Sequence, residues 1–327
     1  MIKRVAVLGA GAWGTAISTV LADNGIKVSL WCYEQDVARD IATLHMNKKY
    51  LPDVLLSERI TATEDLHQAL VDADWVFEAI PVKYLRELFI KVKQTDPSVF
   101  TTKKWVFFSK GIEQQSLLLP SRIAEVVAGK SISYVAVGGP NFASELVKRA
   151  FTATDVASNN VELARQCAQL LANDYLKANI SNDPIGVEIG GAIKNVLAIT
   201  VGIAHGAGYM YVNTRAFLIT QGLAETVMLT QHLGGKRETA YGLSGLGDIV
   251  LSCSSDQSKN FRFGFMVGKG YSRDEIAKHF PILPEGVNTL EALQELLIRD
   301  KLNLPLCQGT YDCVFKDASF KQILARF

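Results

Sequence analysis

Apolar residues fall into two textures along the chain. Through the first half they come in short β-branched and aromatic runs, at 5–8, 28–31, 75–79, 105–108 and 134–137, which predict strands. Between the first two runs, the apolar positions of 13–24 repeat at a helical period, and Gly25 follows as a helix-ending residue. Strands alternating with helices predict βαβ units and a mostly parallel sheet. A further strand pair is expected over 152–158 and 176–179. Beyond Asn182-Asp183-Pro184 the short runs nearly vanish, and helical periods occupy 185–205, 214–233, 248–254, 258–268, 272–277, 290–300 and 306–315. The expected fold class is α/β, with a mostly parallel sheet domain over 1–183 and an all-α domain over 184–327.

One position breaks the apolar pattern of the 185–205 helix. Lys194 lies in Val-Glu-Ile-Gly-Gly-Ala-Ile-Lys-Asn-Val-Leu-Ala-Ile, residues 187–199, and the residues three and four before it are Gly191 and Gly190. A helical side chain leans over the turn that precedes it, so two glycines leave space beneath this lysine. Each glycine costs a helix interior about 1 kcal/mol relative to alanine. Two readings are open at this point. The glycines serve close helix packing while Lys194 reaches outward, or the lysine is held in a pocket with its pKa drawn toward the range useful for proton transfer.

Composition narrows the function classes. A chain of 327 residues, 48% apolar and 20% charged, fits two ordinary globular domains. A formal net charge of +1 and the lack of a dense Lys/Arg run give no reason to expect nucleic acid as a partner. The cysteines (Cys32, Cys167, Cys253, Cys307, Cys313) form no CxxC pair, which argues for reduced thiols and a cytoplasmic protein. The histidines form no HxxxH or HExxH pattern, so no metal is expected. The basic start Met1-Ile2-Lys3-Arg4 leads into an apolar run that breaks at Gly9 and Gly11, as a strand entering a turn does and a signal peptide does not. No run of 18 uninterrupted apolar residues exists, so no membrane span is expected.

The chemistry gathers at glycine-rich strand ends. Gly9-Ala10-Gly11-Ala12-Trp13-Gly14 follows the first strand and opens a helix, the arrangement that lays a dinucleotide diphosphate on a helix N-terminus and marks a Rossmann-type domain. After the second strand come Cys32-Tyr33-Glu34; an acidic residue there favours NAD by accepting from the ribose hydroxyls. Lys110, in Ser109-Lys110-Gly111-Ile112-Glu113, stands at the ligand-binding edge of the sheet as a candidate for anion or carbonyl contact. Gly138-Gly139-Pro140-Asn141 forms a similar strand end whose N–H groups could hold a phosphate or an oxyanion. Asp248 closes the glycine-rich 242–247 segment, either as a helix cap or to orient an ammonium such as that of Lys194. If the segment beyond is helical, Ser255, Lys259 and Arg262 share a face and make a phosphate clamp.

Together these residues resemble the bacterial-type NAD(P)-dependent glycerol-3-phosphate dehydrogenases over essentially the whole chain. The resemblance rests on the order and spacing of GAGAWGTA (9–16), SKGIE (109–113), GGPNFASE (138–145), IGVEIGGAIKNVLAI (185–199), LAE (223–225), GLGD (245–248) and QSKNFRFG (257–264). It implies Lys194 as catalytic proton acceptor with Asp248 beside it, and Lys110 in contact with cofactor and substrate. It implies Gly139, Asn141, Asp248, Ser258, Lys259 and Asn260 around the substrate. Gly9, Gly11, Ala12, Trp13, Gly14, Tyr33, Ala143, Lys259 and Glu285 would border NAD or NADP. The implied reaction is reversible hydride transfer between NAD(P)H and dihydroxyacetone phosphate, giving sn-glycerol 3-phosphate for phospholipid synthesis. Burial and neighbouring cations would lower the Lys194 pKa while Asp248 opposes them. The apolar faces of the all-α domain are compatible with a homodimer.

Several positions depart from that family's pattern. Lysine stands at 259 where arginine is usual, keeping the charge but losing the bidentate fork. Tyr33 stands where arginine or histidine is common near a 2′-phosphate, which leaves NAD against NADP open. Asn141 replaces a threonine or serine, Gln221 replaces an arginine, and the 208–213 loop is bulkier than usual. Two other functions compete: a related β-hydroxyacid dehydrogenase acting on another small oxo acid, and a non-catalytic dinucleotide-binding protein.

Overall fold

The computed structural model describes residues 4–327; the Met1-Ile2-Lys3 start lies outside the described residues. The chain divides into two compact units. The first comprises Met1–Ser109, Ser121–Val137 and Asn141–Pro184, and the second Lys110–Pro120, Gly138–Pro140 and Ile185–Phe327. The principal divide therefore falls after Pro184. Two short segments that follow strands in the first half, and that a single cut at 183/184 assigns to the sheet, belong instead with the helices.

The first unit is a doubly wound sheet. Its strands are β1 (Arg4–Leu8), β2 (Lys27–Trp31), β5 (Ile60–Thr63), β6 (Trp75–Glu78), β7 (Lys104–Phe107), β8 (Tyr134–Gly138), β9 (Thr152–Ala157) and β10 (Leu176–Ser181). They are ordered β10-β9-β8-β7-β6-β1-β2-β5, and β3 (Met46–Asn47) with β4 (Leu51–Leu55) forms a separate antiparallel pair. The pairs β1–β2, β1–β6, β2–β5, β6–β7, β7–β8 and β9–β10 all run parallel. Central strands such as Trp75–Glu78 and Tyr134–Gly138 are buried on both faces, as helix-covered parallel strands must be, and so read as apolar runs without alternation, Glu78 excepted. The edge strand β5 escaped sequence reading because Ile-Thr-Ala-Thr buries only its first residue and shows no alternation. Helix Ala12–Asp23 follows β1, and Gly25 behind it has a left-handed φ of 80°.

The second unit is helical. Its long helix is Pro184–Gly206, followed by Val212–His232, Asp248–Ser254, Lys259–Gly268, Arg273–His279, Glu285–Asp300 and Pro305–Phe315. Glu285–Asp300 begins five residues before the expected 290 because Gly286 in its first turn masks the helical pattern. Short elements at Arg237–Ala240, Leu243–Gly247 and Phe320–Leu324 gave no periodic signal. The expected clamp face over Ser255, Lys259 and Arg262 does not form. Ser255 is extended beyond the end of the preceding helix, and the next helix starts at Lys259 with Ser258 as its cap.

Pro184–Gly206 has 23 residues and is, by length and composition, apolar enough to cross a membrane, although Glu188 and Lys194 interrupt its apolar run. Yet 94% of that window is buried inside the protein, which is the behaviour of a core helix. It crosses Lys259–Gly268 at backbone contact through two reciprocal glycine pairs. A Cβ on Gly202 or Gly206 would stand 2.1 Å from the carbonyl oxygens of Phe261 and Phe265, and one on Gly264 or Gly268 2.1 Å from those of Ile199 and Ile203. No side chain fits without parting the helices. Gly264→Ala should therefore destabilise the protein by at least about 1–3 kcal/mol, seen as a lower urea midpoint; an unchanged midpoint would contradict so close a crossing.

Candidate active site

Gly9, the first glycine of the turn after β1, has φ 112° and donates its N–H to Trp31 O at 3.1 Å. A Cβ there would meet Ala79 O at 2.7 Å, and a Cβ on Gly14 would lie 1.8 Å from Gly9 O. Both glycines are sterically compulsory. Gly11 is different: a Cβ on it would meet nothing within 4 Å, and as helix cap it offers no side-chain bond to the first-turn N–H groups. The first turn of Ala12–Asp23 thus presents unsatisfied donors beside open space, which fits a dinucleotide diphosphate. Trp13 packs edge-on to Phe108 with ring centroids 5.7 Å apart, and Ala143 packs against the same core. Tyr33 is 81% exposed.

Within the second unit, the fully buried Asp248 begins the helix Asp248–Ser254 and holds two lysines. Its Oδ2 accepts from Lys110 Nζ, and its Oδ1 accepts from Lys194 Nζ at 3.0 Å. Lys194 also donates to Ser252 Oγ at 3.0 Å, and Lys110 Nζ lies 3.4 Å from Gly139 O. Burial is the largest influence on the Asp248 carboxyl and pushes its pKa up. The two ammonium groups and their hydrogen bonds together outweigh it and hold the carboxyl below its usual range. For Lys110 burial wins: it lowers the pKa, Asp248 resists, and the nearby Lys194 charge adds to the lowering.

The space beneath Lys194 is not empty. A Cβ on Gly191 would meet Lys110 Cγ at 3.0 Å, and one on Gly190 would stand 2.4 Å from Ser244 O. One glycine therefore admits the stem of the second lysine, and the other admits the Leu243–Gly247 turn that leads to Asp248. Both of the open readings of these glycines hold in part: they serve close packing, and Lys194 sits in the pocket that this packing makes.

An amide chain braces the cluster. Asn195 Nδ2 donates to Lys110 O at 3.2 Å, Asn260 Nδ2 donates to Asn195 Oδ1 at 2.9 Å, and Gly286 N donates to Asn260 Oδ1 at 3.0 Å. Asn260, expected at the substrate, is thus engaged at both ends of its amide. Ser258 Oγ accepts from Phe261 N at 3.3 Å as a helix cap. Lys259 and Arg262 are exposed on the same helix, and Glu285 is the partly buried first residue of Glu285–Asp300. Asn141 belongs to the sheet unit, where its amide bonds Thr152 Oγ1 at 2.9 Å and Ala153 O at 3.3 Å. Sequence reasoning missed Ser252 and Asn195. Ser252 stands one helical turn beyond Asp248, a spacing that could have flagged it, whereas Asn195 faces Lys110 only through the tertiary fold.

A glycine turn that fits a dinucleotide diphosphate and a buried Lys–Asp–Lys cluster are the parts expected of a nicotinamide-dependent dehydrogenase. Comparison with known proteins narrows the class. Residues 4–164 match the NAD-dependent glycerol-3-phosphate dehydrogenase N-terminus and residues 183–325 its C-terminus. The chain is 38% identical over 333 residues to glycerol-3-phosphate dehydrogenase [NAD(P)+] of Bacillus subtilis, covering 99% of this chain and 95% of that one. It is 37% identical over 330 residues to the Enterococcus faecalis enzyme, covering 98% and 94%. The crystal structure of glycerol-3-phosphate dehydrogenase from Coxiella burnetii superposes with a TM-score of 0.92 at 31% identity, covering 99% of this chain and 98% of that one. The chain belongs to the NAD-dependent glycerol-3-phosphate dehydrogenase family and is an NAD(P)-dependent oxidoreductase. That membership favours neither the oxo-acid enzyme nor the non-catalytic binder.

Replacing Asp248 by asparagine leaves two lysines around a neutral amide and should destabilise the protein by about 3–5 kcal/mol at neutral pH. Because the folded pKa of Asp248 is lowered, its contribution is complete above the unfolded value of about 3.9 and is lost as pH falls through the folded one. The stability gap between wild type and D248N, measured by urea unfolding, should stay constant down to about pH 5 and narrow progressively below about pH 4; a gap constant throughout would count against the pairing.

Proposed function

We propose that Lys194, Asp248 and Lys110 perform the proton-transfer half of the reversible interconversion of dihydroxyacetone phosphate and sn-glycerol 3-phosphate. The observation that carries this reading is the buried Asp248 carboxylate bonded to both ammonium groups. When bound at the glycine turn, the dinucleotide supplies hydride to C2 of the substrate or takes it from there. In the reducing direction Lys194 Nζ gives a proton to the C2 oxygen, and in the oxidising direction it takes the hydroxyl proton. An ammonium has three donors, and two of those on Lys194 are engaged by Asp248 and Ser252, which leaves one for the substrate oxygen. Asp248 stays ionised throughout and keeps Lys194 oriented while its charge changes.

Lys110, with donors on Asp248 and Gly139 O, contacts the substrate and the cofactor. Two ammonium groups on one carboxylate leave the cluster net positive, which suits a phosphate-bearing substrate. Lys259 and Arg262 meet that phosphate beside Ser258, Lys259 as a point charge and not as a fork. Gly139 and Asn141 border the substrate, and Ala12, Trp13, Tyr33, Ala143 and Glu285 border the dinucleotide. The buried, unpaired cysteines suit a reducing cytoplasm, and the buried long helix suits a protein without a membrane span. Exposed Met210, Tyr211 and Val212 provide apolar surface for a homodimer. The product serves phospholipid synthesis.

The test is oxidation of NADH and NADPH with dihydroxyacetone phosphate against a panel of 2- and 3-oxo acids. Turnover confined to the triose phosphate is expected, and preference for an oxo acid would overturn the assignment. Lys194→Ala should lower kcat by roughly 10²–10⁴ with dinucleotide affinity near that of wild type. Near-normal turnover in that variant would remove Lys194 from the mechanism.

A further inference from the structure

Glu34, the acidic residue beyond β2, does not stand alone. Its Oε1 lies 2.5 Å from Lys49 Nζ, and its Oε2 accepts from Tyr50 Oη at 2.9 Å. Lys49 and Tyr50 come from the turn between β3 and β4, and that turn is fastened to the dinucleotide loop. The fully buried Asn47 donates to Ala10 O and to Thr15 Oγ1, each at 2.8 Å, and its Oδ1 accepts from Tyr50 N at 3.1 Å. Ala10 lies between the first two glycines of the turn, and Gly9 is bonded to Trp31 at the end of β2. One buried amide therefore holds a lysine at the rim of the glycine turn, against the residue that a ribose would meet. The bond to Glu34 is the largest influence on Lys49 and raises its pKa, so Lys49 stays charged at neutral pH.

An acid at this place accepts from the 2′-hydroxyl of NAD and repels the 2′-phosphate of NADP, while a cation nearby accommodates that phosphate. Here the two are paired, and the side chains are 31% and 49% exposed for Glu34 and Lys49, so both remain within reach of a ligand. We infer that Glu34 and Lys49 act as a paired reader of the adenosine ribose, Glu34 serving a 2′-hydroxyl and Lys49 a 2′-phosphate. The chain then uses both dinucleotides, and the strength of this ion pair sets the ratio between them. Lys49 supplies the cation that Tyr33 does not.

The inference rests on the dinucleotide reading of the glycine turn, and equilibrium binding without substrate tests it. Dissociation constants of NADPH and NADH, and of the fragments 2′,5′-ADP and 5′-ADP, are measured by titration calorimetry for wild type and variants. Lys49→Ala should lower the ratio of NADPH to NADH affinity by about tenfold, as expected for one charge-assisted phosphate contact, and the fragments should follow. Lys49→Arg should keep the ratio, and Glu34→Gln should raise it. An unchanged ratio in K49A, or an equal weakening of both dinucleotides, would overturn the inference, since Lys49 would then only hold the turn. Failure of the catalytic reading leaves these constants untouched, whereas wild-type protein that binds neither dinucleotide overturns both this inference and the reading beneath it.

Discussion

A carboxylate with no solvent exposure, bonded to two lysines, is a charged object the interior tolerates only when its geometry is complete. Asp248 meets that condition by being reached from three directions within the helical unit: the segment after β7, the long helix and its own helix. The group has one excess positive charge, and that excess is the chemical asset. Burial, with the Lys194 charge added, lowers the Lys110 pKa, while the two ammonium groups keep Asp248 ionised.

Close helix packing is the mechanical condition for that geometry. Lys194 is carried by Pro184–Gly206, whose glycines set how near other chain segments can come. Gly190 and Gly191 admit the Leu243–Gly247 turn and the Lys110 stem, and Gly202 and Gly206 admit the backbone of Lys259–Gly268. The same helix that positions the lysine is thus clamped along its length. The Asn195–Asn260–Gly286 amide chain adds a polar brace, so that the segment bearing Lys110 is tied to two further helices.

The sheet unit carries the glycine turn and, beside it, the Glu34–Lys49 ion pair proposed to read the ribose. Gly9 and Gly14 are fixed by clash, whereas Gly11 faces open space. Asn47 couples the glycine turn to the segment that bears Lys49, so the turn and the Lys49–Glu34 pair are joined through one buried amide.

By itself the sequence determined the parallel sheet, the helical second half, the glycine turn and the residues Lys110, Lys194 and Asp248. Each carries a local signal: a run of β-branched residues, a glycine spacing, or a charge in an apolar helix. Elements without such a signal were not legible. The edge strand β5 is too polar, Gly286 hides the start of its helix, and Ser255 shares a helical spacing with Lys259 but not a helix. Tertiary structure alone decided that Lys110 fills the space under Lys194, that Asn260 braces Asn195, and that Glu34 pairs with Lys49. These contacts, like that of Asn195 with Lys110, join residues 15 to 85 positions apart in the chain, and periodicity reports only on neighbours along a helix or strand.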